Sequence, residues 1–122
     1  MKKIMVVDDE PVVCNTLKKF LTKKGYEVTT VLSGEEAIEK VKEEKTNMIL
    51  LDIRMPGMDG IETLRIIREI DKKVGIVMIT AVKEDEIGRK CLELGAYDYT
   101  TKPISLEYLE TVLMVKMLDF EG

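Results

Sequence analysis

Three carboxylates, a hydroxyl and an ammonium carry the chemistry this chain can do. Asp8-Asp9, Asp52, Thr80 and Lys102 each fall directly after an apolar run of strand length. In an open α/β sheet the carboxyl ends of parallel strands meet along one edge, and ligands bind there. Three anions a few ångströms apart repel by about 4 kcal/mol per pair at an effective dielectric of about 20, so a fold that collects them implies a cation. The donors are hard oxygens, too few to cage an ion completely, which favours Mg2+ over Ca2+. Beside a cation, the Asp52 carboxylate can attack phosphorus and become an aspartyl phosphate. Lys102 would offer a point charge to the same phosphoryl oxygens, and Thr80 a hydroxyl.

Each of these residues also has an ordinary structural use. Asp8-Asp9 before Glu10-Pro11 reads as an acidic helix start with proline in the first turn. Asp52 before Met55-Pro56-Gly57 fits a turn, Thr80 a strand end, and a lysine before proline a surface loop. The chemical reading gains because all of them fall at the same end of successive strands. Pro103 restricts the backbone of Lys102, and a cis bond there is the candidate means of aiming the ammonium inward.

The elements that must position these residues are legible as alternating patterns. Apolar runs at Ile4 to Val7, Val28 to Val31, Met48 to Leu51, Ile76 to Ile79 and, more weakly, Ala96 to Tyr99 predict strands. Val12, Val13, Leu17, Phe20 and Leu21 predict a first helix stopped by Gly25, and a Ser33/Glu36 capping box opens a second through Val41. Ile61, Leu64, Ile67 and Ile70 predict a third, and Ile87, Cys91 and Leu94 a fourth stopped by Gly95. A fifth starts near Ser105 and runs to about Asp119. Strict alternation implies an α/β three-layer, doubly wound sandwich, a five-stranded parallel sheet with helices on both faces. The first and third strands are almost wholly apolar, as central strands buried on both faces must be.

Composition narrows the classes further. The chain of 122 residues fits one domain, 1–122, and its 45% hydrophobic and 34% charged residues are those of a soluble globular protein. No apolar run approaches the about 20 residues of a transmembrane helix. Asp8-Asp9-Glu10 arrive too early for a signal peptide, so the expectation is a cytoplasmic protein with no membrane partner. The 19 basic and 23 acidic residues leave a net charge of -4, which opposes direct nucleic-acid binding. Lys18, Lys19, Lys23 and Lys24 then read as a solvated helix face. With no histidine in the chain, imidazole catalysis and histidine metal ligation are excluded. Cys14 and Cys91 lack Cys-x-x-Cys spacing and predict two buried thiols.

Over essentially its whole length the chain resembles the receiver domains of two-component response regulators, of the chemotaxis-regulator kind. The likeness rests on Val6-Val7-Asp8-Asp9-Glu10, on the stretch from Leu50 through Asp52, Met55-Pro56-Gly57 and Asp59-Gly60, on Ile79-Thr80-Ala81, and on Gly95 to Tyr99 leading to Lys102-Pro103. It implies a flavodoxin-like sheet of order 2-1-3-4-5. It also implies Asp52 as phosphoacceptor, with Mg2+ held by Asp8, Asp9, Asp52 and the backbone carbonyl of Arg54. Phosphoryl contacts would come from Thr80, Ala81 and Lys102. Thr80 and Tyr99 would form a switch pair that reshapes the surface of helix four, strand five and helix five.

The implied function is a phosphorylation-dependent signalling switch, supplied by a sensor histidine kinase or a histidine phosphotransfer protein. It turns over no external substrate. The chain is expected to be a stand-alone receiver or the amino-terminal part of a larger regulator, acting through a downstream effector or a phosphorylation-dependent homodimer. Arg54 and Val82, two residues beyond Asp52 and Thr80, are poorly suited to orient water, so slow loss of the phosphoryl group is expected. The alternative is a Mg2+-dependent phosphohydrolase working through an aspartyl phosphate. It shares the first step but lacks a second acid two residues beyond Asp52.

The last helix is over-supplied with apolar residues. From Leu106 to Phe120, ten of fifteen are apolar, where a surface helix needs one stripe. Leu106, Leu109, Leu113 and Met117 suffice to cover a sheet. Tyr108, Val112 and Val115 are left as a candidate partner surface.

Overall fold

Every apolar run singled out in the sequence corresponds to a strand of the computed structural model, which describes residues 2–81 and 84–118. In chain order the elements are β1 (Lys3–Val7), α1 (Pro11–Lys23), β2 (Glu27–Val31), α2 (Gly34–Glu43) and β3 (Met48–Asp52). They continue with α3 (Gly60–Ile70), β4 (Gly75–Thr80), α4 (Asp85–Glu93), β5 (Asp98–Thr101) and α5 (Leu106–Met117). All pairings are parallel and the strand order is β2-β1-β3-β4-β5, the expected doubly wound arrangement.

The continuous apolar runs are explained by two cores, one on each face of the sheet. Side chains alternate faces along a strand. Met5, Val7, Ile49, Leu51, Ile76 and Met78 pack under α2, α3 and α4 with Ala37, Leu64, Ile67 and Cys91. Their sequence neighbours Ile4, Val6, Met48, Leu50, Val77 and Ile79 pack under α1 and α5 with Cys14, Leu17, Leu21, Leu109 and Leu113. Both cysteines are free and buried, as expected.

Local signals set the helix ends. Pro11 opens α1, the Ser33 hydroxyl accepts from the Glu36 N–H at the start of α2, and Ser105 does the same for Tyr108 in α5. Gly25 and Gly95 follow the C-caps of α1 and α4 with φ of 95° and 107°, a region that favours glycine.

Two expectations need correction. The fifth strand begins at Asp98 rather than Ala96. The Ala96 N–H closes α4 on the Cys91 carbonyl, and the Tyr97 N–H reaches the Ile76 carbonyl, so strand geometry starts later and runs through Thr100 and Thr101. Val112 is not surface: it is buried in the core under α1 and α5. An apolar stripe on a helix is wider than one row of side chains, and Val112 lies at i+3 from Leu109, next to Leu113. Tyr108 and Val115 are exposed as expected, together with Met114 and Leu118. Asp119 and Phe120, named in the reading of this helix, lie outside the described residues, as does Val82.

Candidate functional site

Strand register builds the site. Val7 pairs with Leu51, so the next residues, Asp8 and Asp52, come level at the carboxyl edge. Asp52 in turn pairs with Ile79, and Thr80 with Thr101, which brings Thr80 and Lys102 to the same edge. The Lys102 N–H extends the ladder by donating to the Thr80 carbonyl at 2.7 Å. The Lys102-Pro103 bond, a cis candidate in the sequence, is cis.

The charged groups converge on one ammonium. Lys102 Nζ lies 2.9 Å from Asp8 Oδ2, 3.3 Å from Glu10 Oε1 and 3.7 Å from Asp52 Oδ2. Asp8 and Asp52 are buried, whereas Glu10 is exposed. The other Asp8 oxygen, Oδ1, accepts the Glu10 N–H at 2.9 Å. Helix capping does not account for these acids: the N-cap of α1 is Glu10, and its side chain makes no capping bond.

Burial pushes the Asp52 carboxyl up to about 6, and the negative charges of Asp8 and Asp9 push the same way. The Lys102 charge and the Arg54 backbone N–H oppose them without winning. Lys102 itself is raised: burial works against its charge, but the bond to Asp8 and the charges of Asp52 and Asp8 outweigh it. The Cys14 thiol, which donates to the Asp8 carbonyl, is pushed up first by burial and then by the Asp8 charge. It is no nucleophile at neutral pH.

A divalent ion fits this donor set. One oxygen each from Asp8, Asp9 and Glu10 lies within 4.8 Å of the others, and Asp52 is tied to them through the shared ammonium. Carboxylate oxygens without histidine or thiolate suit Mg2+. A cleft of about 520 Å3 opens beside them between α1 and the β5–α5 loop, with Asp52 and Lys102 at its polar end and Val13, Leu17, Ile104 and Leu106 among its apolar walls.

Of the remaining expected residues, Thr80 and Tyr99 lie on the other face of the sheet, and Ala81 and Arg54 in the loops beyond it. Thr80 is fully buried, and alternation from Ile76 and Met78 turns it toward the α3 and α4 side. Tyr99 is half-buried against the same core, its ring on Gly88 of α4; a Cβ at Gly88 would stand 3.0 Å from the ring. Ala81 and Arg54 are exposed in the loops that follow β4 and β3.

Three contributors went unread in the sequence. Glu10 sits beside the recognised acids, but nothing local says that it reaches Lys102. At Gly60, the first residue of α3, a Cβ would lie 2.1 Å from the Asp52 carbonyl oxygen, so only glycine lets α3 start against the strand end. Gly88 leaves room for the Tyr99 ring, which a Cβ there would crowd at 3.0 Å. Gly88 stands inside a helix pattern and Gly60 at the head of one, which is the signal that could have drawn attention to them.

A doubly wound parallel sheet that gathers carboxylates and one lysine at the carboxyl edge of its strands defines a class of α/β domains built to hold a cation and a phosphoryl group. This chain belongs to the response regulator receiver domain family, which it matches over residues 4–114. It is 45% identical over 105 residues to the alkaline phosphatase synthesis transcriptional regulatory protein PhoP of Bacillus subtilis (strain 168), an alignment covering 85% of this chain and 43% of that protein. The chain thus spans under half the length of that relative. Among solved structures it resembles a two-component response regulator from Clostridium difficile, with a TM-score of 0.95, 30% identity and 100% of both chains covered. It also resembles a chain of the CheX–CheY–BeF3–Mg2+ complex from Borrelia burgdorferi, with a TM-score of 0.87, 33% identity, and 93% and 88% of the two chains covered. Phosphorylation on aspartate and use of Mg2+ are general features of the family. Among the described residues, no helix is long and apolar enough to cross a membrane.

Proposed function

We propose that the chain is one receiver module, 1–122, in which Asp52 accepts a phosphoryl group from a phosphohistidine of a sensor histidine kinase or a histidine phosphotransfer protein. The observation that carries this reading is the convergence of Asp8, Asp52 and Lys102, with one ammonium 2.9 Å and 3.7 Å from the two carboxylates. An Asp52 oxygen forms a bond to phosphorus while the bond from phosphorus to the donor nitrogen breaks. Asp8, Asp9, Asp52 and the Arg54 carbonyl are the groups that would hold Mg2+, which when bound neutralises charge on the phosphoryl oxygens. Lys102 and Thr80 take further phosphoryl oxygens, and the Ala81 backbone borders them.

Thr80 and Tyr99 act as the switch. The Thr80 hydroxyl turns to the new acceptor oxygens, and Tyr99, seated on Gly88, follows toward the space left behind. That movement alters the α4, β5 and α5 surface, where the exposed side of α5 meets a second copy or a downstream effector in the cytoplasm. No external substrate is turned over. The test is incubation with Mg2+ and a small acyl phosphate: the wild-type chain gains one phosphate by intact mass, and Asp52→Asn gains none. Uptake by Asp52→Asn would refute the assignment.

A further inference from the structure

Glu10 stands beside Asp8 and Asp9, yet none of the phosphoacceptor, phosphoryl-binding or switch roles described above falls to it. At the N-cap of α1 its side chain makes no capping bond, and its exposed carboxylate instead reaches Lys102 at 3.3 Å. That contact joins residues 92 positions apart. A strongly hydrated ammonium on a flexible stem goes where carboxylates hold it. Here it is held closer to Asp8 and Glu10 than to Asp52. When a divalent ion claims Asp8, the carboxylates left in reach of Lys102 are Asp52 and Glu10.

We propose that Glu10 is a positioning residue for Lys102: it keeps the ammonium at the Asp8 end of the site and competes for it with the phosphoryl group arriving at Asp52. The proposal rests on the reading of Asp52 as phosphoacceptor. Glu10 is solvent-facing, with 62% of its side chain exposed, so replacing it leaves the fold intact, and working at saturating Mg2+ separates its hold on Lys102 from any pull on the metal.

Two measurements test it. In the metal-free, unphosphorylated protein, the Lys102 side-chain resonance in lysine-selective NMR shifts in Glu10→Gln, while that of Lys3, paired with Glu27 elsewhere, stays in place. At saturating Mg2+, Glu10→Gln takes phosphate from a small acyl phosphate about two- to fivefold faster than wild type, the range an ion pair with one exposed partner supplies. An unmoved Lys102 resonance overturns the proposal. So does an unchanged or slower rate at saturating Mg2+, the result expected if Glu10 served only to attract the metal. Should the wild-type chain take no phosphate at all, the Asp52 reading fails, and the resonance alone decides whether Glu10 holds Lys102.

Discussion

Asp52 is buried beside two further carboxylates, and burial first, then the charges of Asp8 and Asp9, push its carboxyl up to about 6 against 3.8 for an ordinary aspartate. Between those values the native chain keeps a proton that the unfolded chain has released. The contribution of this group to stability is therefore greatest below about pH 4 and declines as the pH rises through the window to about 6. The ionised group costs the metal-free fold at most about 3 kcal/mol. Asp52→Asn removes that cost. The metal-free variant is expected to exceed wild type by about 1–3 kcal/mol at about pH 7 and to match it at about pH 4, as read from urea midpoints. Equal midpoints at neutral pH would contradict the electrostatic account. A residue that weakens its own fold is the kind of position retained for reactivity rather than for packing.

At the scale of elements, α5 shows how much one helix rotation decides. Leu109, Val112, Leu113 and Met117 face the sheet, while Tyr108, Met114, Val115 and Leu118 face outward. The Tyr108 hydroxyl is bonded to Asp98 at the start of β5. The same Asp98 accepts the Tyr99 N–H through its other oxygen, so one carboxylate joins β5 to the first turn of α5. Val112→Ala is expected to cost about 1–2 kcal/mol in urea unfolding, since a buried methyl pair leaves a cavity. Val115→Ala should stay within about 0.5 kcal/mol. The reverse order would restore Val112 to the surface.

Across the described residues, the two cores lie on opposite faces of the sheet, and the site straddles their common edge. The acids and Lys102 belong to the α1 and α5 side, while Thr80 and Tyr99 belong to the α3 and α4 side. Asp52 thus stands where both faces of the sheet come together. The outward side of α5 exposes 41% of Tyr108, 59% of Met114, 53% of Val115 and 64% of Leu118, a run of apolar area large for a lone surface helix. Sedimentation velocity is expected to show a heavier species after phosphorylation, and Val115→Lys to abolish it without lowering the unfolding midpoint. Identical sedimentation before and after phosphorylation would leave this surface to an effector of another kind.

The layered sheet, the five helices and the acids, hydroxyl and lysine at strand ends were legible because they follow from local periods: two for strands, near four for helices, and apolar runs where both faces are buried. Five strands in fixed alternation already bring Asp8, Asp52, Thr80 and Lys102 to one edge. The start of β5 was misread because Ala96 is apolar yet spends its N–H on closing α4, while the strand proper is an edge built of threonines. Three things needed the tertiary structure: the sharing of the Lys102 ammonium between Asp8, Glu10 and Asp52, the burial of Val112, and the seats that Gly60 and Gly88 provide. Each depends on the rotation of a helix or the approach of groups far apart in the chain. Such distances are set by how complete elements pack, and no local pattern of residue types encodes them.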